Sequence, residues 1–113
     1  PNDVGTLVNL CAAYLNNKNY QECINTSFTL LKVAPQRWEG HFYQGTAFVN
    51  QGKFQQGAAS LEKAIALNQN EPYIWFNAGI AQQQIGNKEK AKNYILKAKS
   101  LNYPVTEALL NSL

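Results

Sequence analysis

Small and large apolar positions return along this chain at a fixed interval of 34 residues. Gly45 and Gly79, Gly52 and Gly86, Ala64 and Ala98, and Leu67 and Leu101 are each separated by that distance, and one further step back from Gly45 reaches Cys11. A constant period of this length marks an array of stacked helical hairpins, in which no unit buries its apolar face alone.

The punctuation between apolar stretches predicts where the helices stop. Asn2-Asp3 caps a first helix from about Val4 to Asn16, and the polar turn Asn17-Lys18-Asn19 leads into a second from Tyr20 to Val33. Ala34-Pro35 ends that helix, because the residue before a proline is pushed out of helical geometry. A second pair runs from about Arg37 to Asn50 and from Phe54 to Leu67, around the turn Gln51-Gly52-Lys53. The third opens at Asn70-Glu71-Pro72, where proline in the first turn sacrifices no hydrogen bond, and breaks at Gly86-Asn87 before a helix from Lys88 to Leu101. Pro104 and Thr106 then start a short seventh helix whose Val105, Ala108, Leu109 and Leu113 share a face, expected to cap the open end. The chain is thus read as one all-α domain with repeats of about 4–37, 38–71 and 72–103 and a capping helix of about 104–113.

Composition narrows the class. With 113 residues, 45% apolar and 12% aromatic, the chain can build a continuous core, and no apolar run approaches the roughly 20 residues of a membrane span. No signal peptide or lipid-attachment motif is present in this sequence, which begins at Pro1 without a methionine, so the compartment is left open. The net charge of +3 is concentrated: Lys88, Lys90, Lys92, Lys97 and Lys99 against Glu89 give +4 and leave −1 for the rest. A single basic strip without base-stacking aromatics beside it reads as a solvated helix face, and no nucleic-acid partner is expected.

Aligned on the 34-residue period, the columns Leu7/His41/Trp75, Leu10/Gln44/Ala78, Cys11/Gly45/Gly79, Tyr14/Phe48/Gln82, Tyr20/Phe54/Lys88, Cys23/Gly57/Ala91, Leu30/Ala64/Ala98 and Val33/Leu67/Leu101 alternate large and small residues. Small residues in the Cys11 and Cys23 columns let the two helices of a hairpin approach closely, and those in the Leu30 column let one hairpin rest on the next. This pattern resembles the tetratricopeptide repeat over nearly the whole chain. Gln44, Gln82 and Lys88 depart from it, standing where that family prefers apolar residues. The resemblance implies a right-handed superhelix of three antiparallel hairpins whose first helices line a concave groove, and a protein-interaction module rather than an enzyme.

Mapped onto this chain, the groove columns implied by the resemblance hold Val8, Ala12, Leu15 and Asn16, then Phe42, Tyr43, Thr46, Val49 and Asn50, then Tyr73, Phe76, Asn77, Ile80, Gln83 and Gln84. None of these is charged. Aromatics supply contact area at low entropic cost and amides bond a peptide backbone as donor or acceptor, so the lining suits a protein or peptide partner with apolar anchors. Relatives that grip acidic chaperone tails use a clamp of Lys, Asn, Asn, Lys and Arg, and the corresponding residues here are Val8, Ala12, Tyr43, Tyr73 and Asn77, so that clamp is absent. The runs Glu71-Pro72-Tyr73-Ile74-Trp75-Phe76-Asn77-Ala78 and Phe42-Tyr43-Gln44-Gly45 are similar to class II chaperones of type III secretion, which implies a holder of secreted translocators as one alternative. A structural array that self-associates through the groove or an end face is the other.

Candidate chemistry does not alter this picture. His41 is the single histidine and shares a column with Trp75, which favours packing; the carboxylates Asp3, Glu22, Glu39, Glu62, Glu71, Glu89 and Glu107 are scattered, and no Cys or His pair has metal-ligand spacing. No catalytic residue, metal or cofactor is expected. Cys11 and Cys23 fall in facing columns and are read as buried thiols serving as small hydrophobes.

Overall fold

In the computed structural model, which describes residues 3–113, the chain forms seven helices: α1 Val4–Asn16, α2 Tyr20–Val33, α3 Trp38–Asn50, α4 Phe54–Leu67, α5 Pro72–Ile85, α6 Lys88–Ser100 and α7 Glu107–Asn111. They pair as α1/α2, α3/α4 and α5/α6, and each hairpin packs on the next through α2 against α3 and α4 against α5. The result measures 46 × 26 × 21 Å, the elongated shape of a short stack. Among the described residues, no helix is long and apolar enough to cross a membrane.

The helix ends follow their local chemistry. The Asp3 carboxylate accepts a hydrogen bond from the Thr6 N–H at 2.9 Å and caps α1, whereas Asn2, the other half of that expected cap, lies outside the described residues. Ala34 and Pro35 terminate α2, and Pro72 opens α5. The turns after α3 and α5 place Gly52 and Gly86 at φ of 81° and 104°, where a side chain would be strained. The hairpin turn after α1 uses Lys18 at φ 62° for the same reversal.

Two apolar clusters, with half-buried Tyr43 packed against both, make up the interior. Leu7, Cys11, Cys23, Ile24, Leu30 and Ala47 join the first hairpin to α3, and Phe42, Ala58, Leu61, Ala64, Ile65, Ile74, Ala78 and Ala81 join the second to α5. Close approach depends on the missing side chains: a Cβ on Gly45 would stand 2.9 Å from the Gly57 carbonyl oxygen, and one on Gly57 would stand 2.9 Å from that of Gly45. Cys11 and Cys23, at 0% exposure, fill the equivalent places in the first hairpin as free thiols.

The departures from the repeat pattern have specific partners. Gln44 is buried because its side-chain oxygen accepts from the Ser60 hydroxyl at 2.9 Å, and buried Gln82 accepts from the Asn87 amide at 2.8 Å. Lys88 meets neither condition and is exposed at the start of α6. Beyond α6, the Thr106 hydroxyl caps α7 by accepting from the Leu109 N–H, but this five-residue helix buries none of its residues.

Candidate functional site: an aromatic wall on the inner helices

The first helix of each hairpin supplies the columns expected to face the groove. Val8, Ala12, Leu15, Tyr43, Val49, Tyr73, Phe76, Asn77, Ile80 and Gln83 are half-buried, and Asn16, Asn50 and Gln84 are exposed. Phe42 and Thr46 are different. At 7% and 8% exposure they belong to the interior, Phe42 inside the second apolar cluster, so neither offers its side chain to a ligand in this conformation.

Buried Phe42 nonetheless organises the surface around it. Its ring meets Tyr43 at 5.2 Å, Tyr73 at 5.1 Å and Trp38 at 5.9 Å between centroids, all near edge-on, and Trp38 meets Tyr73 at 6.0 Å. Such edge-to-face contacts are the favourable arrangement for aromatic quadrupoles. Three half-buried rings, Trp38, Tyr43 and Tyr73, are therefore fixed on one floor. Tyr43 and Tyr73, which have no obvious packing role in the sequence, each pack on the core, and Tyr43 touches both apolar clusters. Phe76 is drawn away from this group and stacks on Tyr103 at 4.5 Å with 24° between planes.

Two neighbours were not anticipated. Trp38 is the first residue of α3, and Glu39 stands 34 residues before Tyr73, so continuing the Tyr73 column backwards identifies it. Glu39 is charged in a lining read as neutral. Its carboxylate pairs with the Arg37 guanidinium through contacts of 2.8 and 3.3 Å. Burial pushes the Glu39 carboxyl up, but hydrogen bonds from Arg37 and from its own backbone, with the guanidinium charge, outweigh that and hold it below the usual carboxylate range.

The tyrosines respond to the same surroundings. Burial, then the Glu71 carboxylate, push the Tyr73 phenol up to about 12, and burial foremost raises Tyr43. Both are neutral hydroxyls at physiological pH, able to donate or accept. The amides are partly committed: Asn77 donates to the Tyr73 carbonyl at 2.8 Å and Asn50 to the Thr46 carbonyl at 2.9 Å, leaving their side-chain oxygens as acceptors. One hollow is lined by Lys53, Gln56, Gln84 and Ile85, bringing in Gln84 from the expected groove, and another by Asn87, Lys88, Lys90 and Asn93.

His41 is half-buried with its Nε2 3.3 Å from the Pro35 carbonyl, and burial foremost lowers its pKa. The basic strip of α6 splits into two. Lys90 turns towards Glu62 at 3.5 Å and Lys97 lies 5.9 Å from the Trp75 ring, whereas Lys88 and Lys92 are exposed and Lys99 pairs with Glu107 at 3.5 Å.

Comparison with known proteins agrees with this architecture. A TPR repeat model matches residues 45–86 and a tetratricopeptide repeat model matches residues 72–103, whereas no curated protein matches the sequence significantly. The first TPR of Spaghetti (RPAP3), solved bound to the HSP90 peptide SRMEEVD, is similar with a TM-score of 0.87 at 20% identity, over 96% of this chain and 88% of that one. MamA is similar with a TM-score of 0.82 at 24% identity, over 89% of this chain and 59% of that one, so this chain spans less than two thirds of MamA. At these identities the likeness is one of fold. The similarity to type III secretion chaperones rests on the two short runs alone. Period, hairpin packing and matched repeats together establish that the chain belongs to the tetratricopeptide-repeat family.

Proposed function

We propose that this chain is a non-catalytic interaction module that binds a peptide segment of a protein partner along its inner helices, with apolar side chains of the partner seated on Tyr43 and Tyr73. The observation that carries this reading is the fixed wall of half-buried rings, Trp38, Tyr43 and Tyr73, held edge-on by Phe42. Rigid aromatics lose little entropy on binding and are the residues on which interface energy concentrates. The RPAP3 domain of the same fold is bound to a peptide, which supports a peptide as the class of ligand. The acidic chemistry of that peptide does not carry over. Val8, Ala12, Tyr43, Tyr73 and Asn77 offer no cation to a carboxylate, and Arg37, one residue before α3, is occupied by Glu39.

Tyr73→Glu tests the reading. The substituted carboxylate must be desolvated when an apolar segment docks, which costs a few kcal/mol, roughly a hundredfold in affinity. Partners captured by the wild-type chain from its native extract and identified by mass spectrometry are remeasured against the folded variant. Undiminished binding by a variant with a native circular dichroism spectrum overturns the assignment of the groove.

A further inference from the structure

Charge is divided between the two sets of helices. Helices α1, α3 and α5, with the cap residues that precede them, hold Asp3, Glu39 and Glu71 against Arg37 alone, a balance of −2 in a chain of net +3, while α6 holds five lysines against Glu89. Asp3 is accounted for, since its carboxylate caps α1 through the Thr6 N–H. Glu39 and Glu71 stand at the aromatic wall. Glu39 follows Trp38 directly and lies one helical turn before Tyr43, on the same face of α3. Glu71 comes two residues before Tyr73, and burial, then Glu71, then Tyr43 and Glu39 raise the Tyr73 phenol, so both carboxylates are within electrostatic reach of its hydroxyl. The fold engages only one of the two. Glu39 takes the Arg37 guanidinium on both of its oxygens, at 2.8 and 3.3 Å. Half-buried Glu71 is the N-cap residue of α5, yet its side chain makes no capping hydrogen bond, the next residue being Pro72, and among the described residues no Lys or Arg forms an ion pair with it.

We propose that Glu71 and the half-buried rings of Trp38 and Tyr73, whose centroids lie 6.0 Å apart, form a seat for an arginine side chain of the partner segment, beside the apolar side chain that rests on Tyr43. This deepens the peptide-binding reading above and rests on it. A guanidinium fits the place twice over: its plane stacks on aromatic rings, and its fork of N–H donors engages both oxygens of a carboxylate, as that of Arg37 does on Glu39. A lysine ammonium supplies the charge without the plane or the fork. A partner carboxylate meets like charge from Glu71 and has no free cation beside it, so the seat selects against acidic segments as well as for basic ones. The contact is a single direct pair, closer than the screening length, and added salt weakens it only modestly.

The probe is a phage-displayed library of random peptides selected on the immobilised wild-type chain, followed by synthesis of the best binder with arginine and with citrulline, its uncharged isostere, at the same place. Arginine is expected to recur beside an apolar residue among the selected sequences, and the citrulline peptide to bind the wild type roughly tenfold more weakly, the scale of one cation–π contact together with one exposed ion pair. Glu71→Gln, which keeps the size of the side chain, is expected to lose most of that discrimination. Selected sequences in which arginine does not recur, a citrulline peptide that binds the wild type as tightly as the arginine peptide, or a Glu71→Gln variant that discriminates as fully as the wild type each overturn the proposal. Tyr73→Ala, shown to be folded by circular dichroism, tests the reading beneath it. If Tyr73→Ala weakens both peptides while the wild type binds them equally, the arginine seat falls and the aromatic wall stands. If Tyr73→Ala binds both undiminished, or the wild type selects no peptide, the wall is not the binding surface and the seat falls with it.

Discussion

The ring of Phe76 on α5 lies stacked on that of Tyr103, 4.5 Å away and 24° from parallel, and this contact ties the inner helix of the last hairpin to the segment that follows α6. The anchoring expected of residues 104–113 therefore starts one residue earlier. Because no residue of α7 is fully buried, Leu109, Leu110 and the flanking Val105 and Leu113 being half-buried, and its Glu107–Lys99 pair is exposed, Tyr103 is expected to be the main attachment of this segment. Tyr103→Ala is expected to cost about 1 to 2 kcal/mol, lowering the melting temperature by roughly 5 to 10 °C. Removing Pro104–Leu113 while keeping Tyr103 is expected to cost less. Thermal melts of the two variants compare them directly, and a larger loss on truncation would transfer the anchor to the helix.

Stability should depend on pH in the alkaline range through the tyrosines. Burial, and then Glu71, raise Tyr73 to about 12, while burial, and then a 2.6 Å hydrogen bond to Glu62, raise Tyr94 above its ordinary value. An unfolded tyrosine loses its proton near pH 10, so above that value the unfolded chain binds fewer protons than the folded one. The stabilisation from these phenols is thus complete below about pH 10 and is lost as pH rises towards about 12. Urea titrations of the wild type, Tyr73→Phe and Tyr94→Phe at pH 8, 10 and 11 should show a smaller alkaline loss in each variant. Parallel slopes in all three would mean that the phenols titrate alike in the folded and unfolded chains.

The repeat was legible because packing between helices imposes residue size at fixed spacing: the Gly45/Gly57 approach and the Cys11/Cys23 pair both follow from small residues in facing columns. Helix limits were legible where a residue forbids continuation, as at Pro35 and Gly86. Burial within a column was not. Phe42 and Val8 share a column, yet one lies in the core and the other is half-buried, because burial depends on which hairpins flank the position rather than on the residue itself. Glu39 was overlooked although the period reaches it from Tyr73, since its partner Arg37 precedes the helix and follows no apolar pattern. The amide pairs Gln44–Ser60 and Gln82–Asn87 likewise need three dimensions to become visible.

If a partner segment runs the length of the groove, charges placed on each hairpin should weaken it. Ala12, Asn50 and Gln84 sit on α1, α3 and α5 respectively, half-buried in the first case and exposed in the others, so Ala12→Glu, Asn50→Glu and Gln84→Glu are expected to leave the melting temperature within a few degrees of wild type. Each introduces a carboxylate that a docking apolar side chain would have to desolvate, and a tenfold loss of affinity corresponds to only about 1.4 kcal/mol. A segment confined to the aromatic wall would be sensitive to Tyr73→Glu but indifferent to Ala12→Glu and Gln84→Glu. A segment spanning three hairpins would lose affinity at every site. Because apolar burial drives this contact and Arg37 is already paired with Glu39, affinity should change little with added salt. A steep fall with salt, together with loss of binding in Lys88→Ala and Lys92→Ala, would place the partner on the α6 end instead. Calorimetric titration of the captured partner segment into these six variants and the wild type, at low and high salt, separates these outcomes.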